Sequence, residues 1–232
     1  MFLIDAHTHA APSAPDTAAL VNLNPGASAG PAENRYYSCG IHPADIGKYS
    51  RDELRTTLTG IPCSAVGECG LDARFPFEQE TVFREQILLA EELKLPMVIH
   101  CVRKYYDVIR IRKAEHALMP WLIHGFRGNR ETGIALLQAG CLLSLSPVWL
   151  MHLEEFPDWL PDGNFLLETD EADIPLPALY EQAIRLRQDS PERFGMLLQE
   201  TFEAFIGNGP ALHSSSSFSS RAGSIQRSTA GE

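Results

Sequence analysis

The sequence predicts an α/β fold, a TIM-type (β/α)8 barrel whose first helix or two are shortened. Three observations support this prediction: eight short apolar runs are spaced along the chain, helical signals separate the later runs, and 232 residues suit one medium-sized domain. Because helices or long connections separate the runs, the strands should pair in parallel, and eight parallel strands close most simply into a barrel. An open, doubly wound sheet is the alternative architecture.

Each apolar run is too short for a helix and is rich in Val, Ile, Leu or aromatic residues, a composition typical of buried strands. The predicted strands lie at 2–5, 19–23, 36–41, 64–68, 96–100, 120–124, 141–146 and 164–170.

Helical signals lie between the later runs. Ser50 and Glu53 have the spacing of a capping box, and Ser190 followed by Pro191 supplies an N-cap and a proline at the first helical position. The first two connections are short or rich in Pro, Gly and Ala, so we expect no full helix there. The other predicted helices lie at 77–93, 103–117, 130–139 and 177–188.

The composition is that of a soluble globular protein, with 44% apolar and 21% charged residues. Nineteen basic and thirty acidic residues give a net charge of −11, which repels phosphate groups unless a basic patch or bound cations reverse the local field. The five cysteines form no C-x-x-C pair, which favours a reducing compartment. With no basic leader followed by a long apolar stretch, the expected location is the cytoplasm, away from membranes.

The chain divides into two regions. Residues 1–207 hold every predicted strand and helix and form the barrel domain. Residues 208–232 are Ser-rich and poor in apolar side chains, so they cannot bury enough surface to offset the entropy of ordering, and a disordered tail is predicted.

Most metal-capable side chains end or follow a predicted strand. In a parallel barrel the carboxyl ends of all strands open on one face, so residues distant in sequence meet there. His7 and His9 are two positions apart and point to the same side of a strand, which lets both bind one cation. The candidate metal ligands are His7, His9, Glu68, His100, His124 and Asp170.

This ligand set exceeds the needs of one tetrahedral ion and suits two divalent ions that share a bridging ligand, for which Glu68 is the natural candidate. Such a pair of ions binds a water and lowers its pKa, while Asp170 can act as a ligand and accept the proton. Glu68 and Asp170 are therefore the predicted catalytic residues. Histidine and carboxylate ligands together accept Zn, Mn, Mg or Co, so the ligands alone do not select the metal.

Substrate contacts are also predicted at strand ends. His42 is expected to hydrogen-bond a substrate oxygen or a metal-bound group, and packing against Pro43 is the structural alternative. Arg74, Arg103 and Arg127 lie just beyond strand ends, where a guanidinium can pair with an anionic substrate or remain a solvated loop residue. Of the three, Arg127 is the predicted substrate-binding residue.

With these residues placed, the chain resembles the TatD family of metal-dependent hydrolases, within the amidohydrolase-like group of barrel enzymes. The resemblance runs from Phe2 to about Gly207. It implies two divalent metals on the six candidate ligands and a hydrolytic reaction, typically exonucleolytic cleavage of DNA. The motifs that carry it are D-A-H-T-H at 5–9, G-I-H-P at 40–43, G-E-C-G-L-D at 67–72, P-M-V-I-H-C at 96–101, I-H-G-F-R-G at 123–128 and L-E-T-D at 167–170.

The chain departs from the family pattern in ways that bear on the substrate. The strand-helix unit expected before G-I-H-P is replaced by about thirty residues rich in Pro, Gly and Ala, and the arginine of the usual H-C-R appears one position later, in H-C-V-R. The basic loop that usually follows E-T-D and ends in a motif like R-N-E-P is replaced by EADIPLPALYEQA. Much of the expected DNA contact surface is therefore missing.

Three functions are compatible with these residues. The first is a TatD-type phosphoesterase, DNA exonuclease-like or specific for small phosphate esters, in which a metal-bridging hydroxide attacks the phosphodiester. The alternative is an amidohydrolase that opens an amide, lactam or ester bond, because the same nucleophile attacks carbonyl carbon. The third is a metal-loaded binding protein without turnover. The expected partner is DNA or a small phosphodiester, and neither the oligomeric state nor the natural substrate follows from the sequence.

Overall fold

The computed structural model describes residues 1–12, 14–76 and 78–207, and the predicted Ser-rich tail at 208–232 lies outside the described residues. The predicted barrel is confirmed. Eight strands form one sheet in chain order, and every neighbouring pair is parallel. The strands are β1 (Leu3–Thr8), β2 (Thr17–Leu23), β3 (Arg35–Cys39), β4 (Cys63–Asp72), β5 (Met97–Val102), β6 (Trp121–Phe126), β7 (Cys141–Leu145) and β8 (Phe165–Leu167).

The sheet closes between its first and last strands. The Asp170 N–H donates to the carbonyl oxygen of His7 over 3.0 Å, and Thr8 pairs with Asp170 as an isolated parallel bridge. β8 is only three residues long, so it cannot cover all of β1. The hydroxyl of Tyr180 fills the gap, because it accepts from Ile4 N–H over 2.8 Å and donates to the Ile4 carbonyl oxygen over 3.1 Å.

Helices surround most of the sheet, and the predicted ones are present within a few residues of their expected bounds. Ser50 and Glu53 form the predicted capping box, and the Ser190 side chain accepts from Arg193 N–H at the start of the last helix. The helices are α1 (Arg51–Gly60), α2 (Glu80–Leu93), α3 (Tyr105–Ala114), α4 (Arg130–Gln138), α5 (Pro147–Met151), α6 (Leu176–Arg187) and α7 (Pro191–Ile206).

One side of the barrel lacks helices, as predicted. No helix lies in the described residues between β1 and β2 or between β2 and β3, so the first crossovers are loops. A single 3-10 turn, Pro43–Asp45, follows β3 and is capped by His42. The short helix α5 was not predicted. None of the helices in the described chain is long and apolar enough to cross a bilayer.

Two glycines allow β4 to run against β5. A Cβ on Gly67 would lie 2.4 Å from the Val98 carbonyl oxygen, and one on Gly70 would lie 2.1 Å from the His100 carbonyl oxygen. Both glycines have positive φ, 142° and 147°, which other residues rarely adopt. The register between these strands shifts between Val66 and Cys69, so pairing continues past the shift to the end of β4. The G-E-C-G segment is therefore a backbone requirement of this part of the barrel.

Candidate metal centre

All six predicted ligands converge at the carboxyl-terminal end of the barrel, around the carboxylate of Glu68. Its Oε2 lies 3.4 Å from His7 Nε2 and 3.7 Å from His9 Nε2. Its Oε1 lies 2.6 Å from His100 Nδ1 and 2.8 Å from His124 Nε2. Each oxygen of one buried carboxylate therefore faces a different pair of histidines.

The first group of side chains contains His7, His9 and Asp170, whose ligand atoms all lie within 4.8 Å of one another. Asp170 Oδ1 is 3.7 Å from His7 Nε2 and 3.5 Å from His9 Nε2. Ligand atoms bound tetrahedrally at 2.0–2.2 Å from an ion are separated by about 3.4 Å. With Glu68 Oε2 as the fourth donor, these separations fit one divalent ion.

The second group lies around Glu68 Oε1 and is tighter. His100 Nδ1 and His124 Nε2 are 3.1 Å apart, and His42 Nε2 is 3.6 Å from the same carboxylate oxygen. The two short contacts to Glu68 would have to lengthen by about 0.6–0.8 Å to reach the ligand separation of a tetrahedral site, which is within the reach of side-chain rotation. His42 thus lies close enough to be a ligand candidate, and its Nδ1 accepts from Ala44 N–H over 3.0 Å.

The strand-end prediction needs correction at four of the six ligands. Glu68 was expected to end its strand, but β4 continues to Asp72 because the bulge at Gly67 and Glu68 is followed by renewed pairing with β5. His100 and His124 likewise lie inside β5 and β6, and Asp170 lies beyond the end of β8. The face on which they meet is nevertheless the predicted one.

Asp170 is held in place by β1. Its φ of 52° is in the left-handed region, and its N–H and C=O contact His7 and Thr8. The preceding Thr169 donates from its N–H and its hydroxyl to the buried carboxylate of Asp5, over 2.9 Å and 2.6 Å. The first residue of the D-A-H-T-H motif therefore fixes the turn that carries Asp170.

Two carboxylates that were not predicted from the sequence lie beside the ring nitrogens of His100 and His124 that face away from Glu68. Asp72 Oδ2 lies 2.9 Å from His100 Nε2, and Glu168 Oε1 lies 3.4 Å from His124 Nδ1. The side chains of both acids are fully buried. Their signal was available, since both belong to the motifs G-E-C-G-L-D and L-E-T-D. Each is placed to orient a histidine whose other nitrogen faces Glu68.

The electrostatics of the site favour positive charge. Burial raises the pKa of Glu68, but the charge of His124 and hydrogen bonds from His100 and His124 outweigh it, so its pKa lies well below the usual value. The neighbouring carboxylates of Asp170 and Glu68 raise the pKa of His9 to about 10. Burial lowers the pKa of His124, yet the charges of Glu68 and Glu168 raise it well above its usual range.

His7 gives a further sign of an expected cation. Its side chain is fully buried, and neither ring nitrogen makes a hydrogen bond within the described residues. Leaving Nε2, the nitrogen that faces Glu68 and Asp170, without a partner costs free energy that a bound ion would remove. The donor set around Glu68 therefore fits divalent cations.

The centre opens into a cavity of about 870 Å³ at the mouth of the barrel. Arg74, Arg103 and Arg127 all line it. Arg74 is already paired, because its guanidinium lies 2.5 Å from Asp72 Oδ2. Within the described part of the chain, Arg103 and Arg127 form no ion pair. The structure thus leaves two exposed arginines available to an anionic ligand, Arg127 among them.

Comparisons with known proteins find relatives both in sequence and in fold. The sequence model of the TatD-related DNases matches residues 25–198. A 3′-5′ ssDNA/RNA exonuclease TatD from Pectobacterium parmentieri is 30% identical over 153 residues, 57% of this chain and 56% of that protein. An uncharacterized metal-dependent hydrolase from Buchnera aphidicola is 29% identical over 153 residues, 58% of this chain and 58% of that protein. The chain thus spans less than two thirds of the length of these relatives.

The fold has a counterpart among solved structures. YJJV, a TatD homologue from Escherichia coli K12, superposes with a TM-score of 0.69 at 18% identity, covering 88% of this chain and 97% of that chain. At this identity the likeness concerns the fold, and it extends to regions that the sequence matches do not cover.

Proposed function

The chain belongs to the family of TatD-related DNases, and on that premise we propose that it is a divalent-metal-dependent hydrolase that cleaves phosphodiester bonds. The observation that carries the proposal is the position of Glu68, whose two carboxylate oxygens face two separate histidine groups. This arrangement supports two ions bridged by Glu68. His7, His9 and Asp170 would hold one ion, and His100 and His124 the other.

Each of the proposed residues has a separate role in the reaction. Two divalent ions, when bound, supply Lewis acidity that activates a water and polarises phosphoryl oxygens. The side chain of Asp170 is about one-third exposed, and it lines the cavity. Burial raises its pKa, but the contact with His9 lowers it by more, so the pKa lies below the usual value and the carboxylate is anionic. It would accept the proton of the attacking water. Arg127 would pair with the phosphate, and His42 would contact a substrate oxygen near Glu68.

The negative net charge and the small number of unpaired arginines at the cavity favour a small or single-stranded substrate. The net charge is −11, and only Arg103 and Arg127 are unpaired arginines at the described rim of the cavity. The segment between β8 and α6 carries no arginine or lysine, so it offers no basic groove for a duplex. Relatives carry the name of ssDNA/RNA exonucleases, and single-stranded nucleic acid is the substrate class we propose.

Side-by-side digestion tests this function. Protein supplied with Mn²⁺, Zn²⁺, Mg²⁺ or Co²⁺ is incubated with single-stranded DNA, RNA, duplex DNA, a nitrophenyl phosphodiester and a cyclic amide. We expect cleavage of the diester and of single strands from one end. Cleavage of the amide alone would replace the proposal with an amidohydrolase, and turnover at the free-metal background on every substrate would indicate a binding protein.

Carboxylate variants connect the activity to the site. Glu68→Gln and Asp170→Asn remove a charge that binds metal or accepts a proton, so we expect a loss of kcat of about 100-fold or more. The matched control is Asp173→Asn, an exposed acid in the same loop as Asp170, which should retain wild-type rates. Far-UV circular dichroism checks that all three variants fold. Wild-type activity in Glu68→Gln would refute the assignment.

A further inference from the structure

Asn22 occupies the inward-facing register of β2. Ala19 and Val21 belong to a small apolar cluster of their own, whereas Ala18 and Leu20 belong to the main core. Because side chains alternate along a strand, Asn22 continues the inward series of Ala18 and Leu20. It is the polar residue at the end of that series, and it lines the same cavity as Glu68.

The neighbours of Asn22 identify its side-chain oxygen. The N–H of Glu68 donates to Asn22 Oδ1 over 2.8 Å, and a backbone N–H can only donate, so the atom facing it must be oxygen. The hydroxyl of Ser38 donates to the same oxygen over 3.1 Å from the paired position on β3. Two donors from two neighbouring strands therefore fix the orientation of the amide.

With its oxygen held, the Asn22 amide has only its NH2 group left to use. No acceptor for Nδ2 lies among the residues that the structure describes, so these donors are free to meet a ligand in the cavity. An amide NH2 carries two donors and no charge. Because the amide is fixed beside the Glu68 backbone, its NH2 group is preorganised to donate to an oxygen atom of a ligand bound at the metal centre.

We propose that Asn22 is a substrate-binding residue that donates a hydrogen bond to a non-bridging oxygen of the phosphoryl group. The proposal rests on the proposed phosphodiesterase function and names a contact for it. Asn22 is distinct from the rim arginines, because its two tethers hold it rigidly whereas an exposed arginine must be ordered by the substrate. It also connects substrate binding to the backbone position of Glu68.

Phosphate binding tests this role without turnover. Wild-type protein, Asn22→Asp, Asn22→Ala and Ser38→Ala are loaded with Mn²⁺ and desalted, and inorganic phosphate is titrated by calorimetry while bound metal is measured. Asn22→Asp keeps an oxygen for the Glu68 N–H but has no donor, and Asn22→Ala has neither. We expect both to bind phosphate about fivefold more weakly or worse, the worth of one hydrogen bond. Ser38→Ala removes one of the two tethers and keeps the Glu68 N–H contact, so its phosphate affinity should fall between that of the wild type and that of Asn22→Ala.

Three results would overturn the proposal. One is unchanged phosphate affinity in Asn22→Ala with wild-type metal content. Another is unchanged phosphate affinity in Asn22→Asp. If Asn22→Ala loses metal, the phosphate affinity of Asn22→Asp is measured at low and high KCl. A weakening of affinity that disappears at high KCl is due to charge repulsion and overturns the proposal. A weakening that persists at high KCl supports it. If the wild type binds phosphate but cleaves no diester, and the Asn22 variants bind phosphate more weakly, the proposed function is refuted and the phosphate contact of Asn22 is supported.

Discussion

At the scale of single residues, the candidate centre depends on which nitrogen each histidine presents. His100 directs Nε2 to Asp72 over 2.9 Å and Nδ1 to Glu68 over 2.6 Å. Asp72 itself stays anionic, because hydrogen bonds from Arg74 outweigh the effect of burial and hold its pKa below the usual value. A carboxylate on one nitrogen places the proton there and leaves the other nitrogen free as a ligand. Asp72 is therefore a positioning residue.

Replacing Asp72 tests this role. We expect Asp72→Asn to weaken divalent-metal binding about 10- to 100-fold, the usual effect of losing such a partner, while the fold is retained. Competition with a chromophoric chelator measures the affinity, and Asp173→Asn, an exposed acid in the loop after Asp170, is the charge-matched control. Unchanged affinity in Asp72→Asn would show that His100 needs no partner or does not bind metal.

Protons should leave His9 when metal binds. Its pKa in the metal-free protein is raised to about 10, so at neutral pH the imidazole is protonated and a cation must displace that proton. Apparent affinity should therefore rise with pH up to about 10, by roughly tenfold per pH unit for each proton displaced. Calorimetry in buffers of different ionisation enthalpy measures proton release. Binding without release at pH 7 would contradict the assignment of His9 as a ligand.

At the scale of elements, the seam between the first and last strands is the least regular part of the barrel. β8 has three residues, and within the described residues its link to β1 is the isolated bridge between Asp170 and Thr8. The hydroxyl of Tyr180, on α6, satisfies both the N–H and the C=O of Ile4 on the side of β1 that faces β8. A side chain of α6 thus provides the hydrogen bonds that a neighbouring strand usually provides, and β1, the strand that receives them, also carries His7.

Removing that hydroxyl should destabilise the protein. Tyr180→Phe leaves Ile4 N–H and C=O buried without partners, and we expect the free energy of unfolding to fall by about 1–3 kcal/mol. Urea denaturation measures the change. Tyr106→Phe removes a hydroxyl from a side chain that is 65% exposed and should change stability little. Equal stability of Tyr180→Phe and wild type would mean that water replaces the hydroxyl at the seam.

At the scale of the whole molecule, the barrel domain contains every side chain of the candidate centre. The cavity-lining residues come from segments between His9 and Glu171, and the last described helix ends at Ile206. The core includes α7, where Phe194, Leu198 and Phe202 are buried. Residues 208–232 carry few apolar side chains that could extend this core.

Deleting residues 208–232 should therefore be neutral. We expect the truncated chain to keep the melting temperature, metal content and diesterase rate of the full chain, because the deleted segment contributes no predicted core or ligand. Differential scanning calorimetry and metal analysis provide the comparison. A marked fall in melting temperature would contradict the division of the chain at 207, and a loss of activity alone would assign the tail to substrate binding.

The order of strands and helices could be predicted from the sequence because it depends on local interactions. Apolar runs of strand length, the Ser50 capping box and the proline after Ser190 each act within a few residues, and each is found where it was expected. Parallel closure then follows from the alternation of elements. Since all carboxyl ends open on one face, the convergence of the six candidate ligands also follows.

The sequence by itself determined the barrel and the six candidate ligands expected at its mouth. Only the tertiary structure decided which side chains contact one another. Glu68 lies within β4 and faces two histidine groups, and Arg74 forms an ion pair with Asp72. Asn22 accepts a hydrogen bond from the backbone N–H of Glu68. These facts depend on contacts between residues far apart in the chain, such as Thr169 with Asp5 at a separation of 164. Periodicity and capping act over a few residues and carry no information about such pairs.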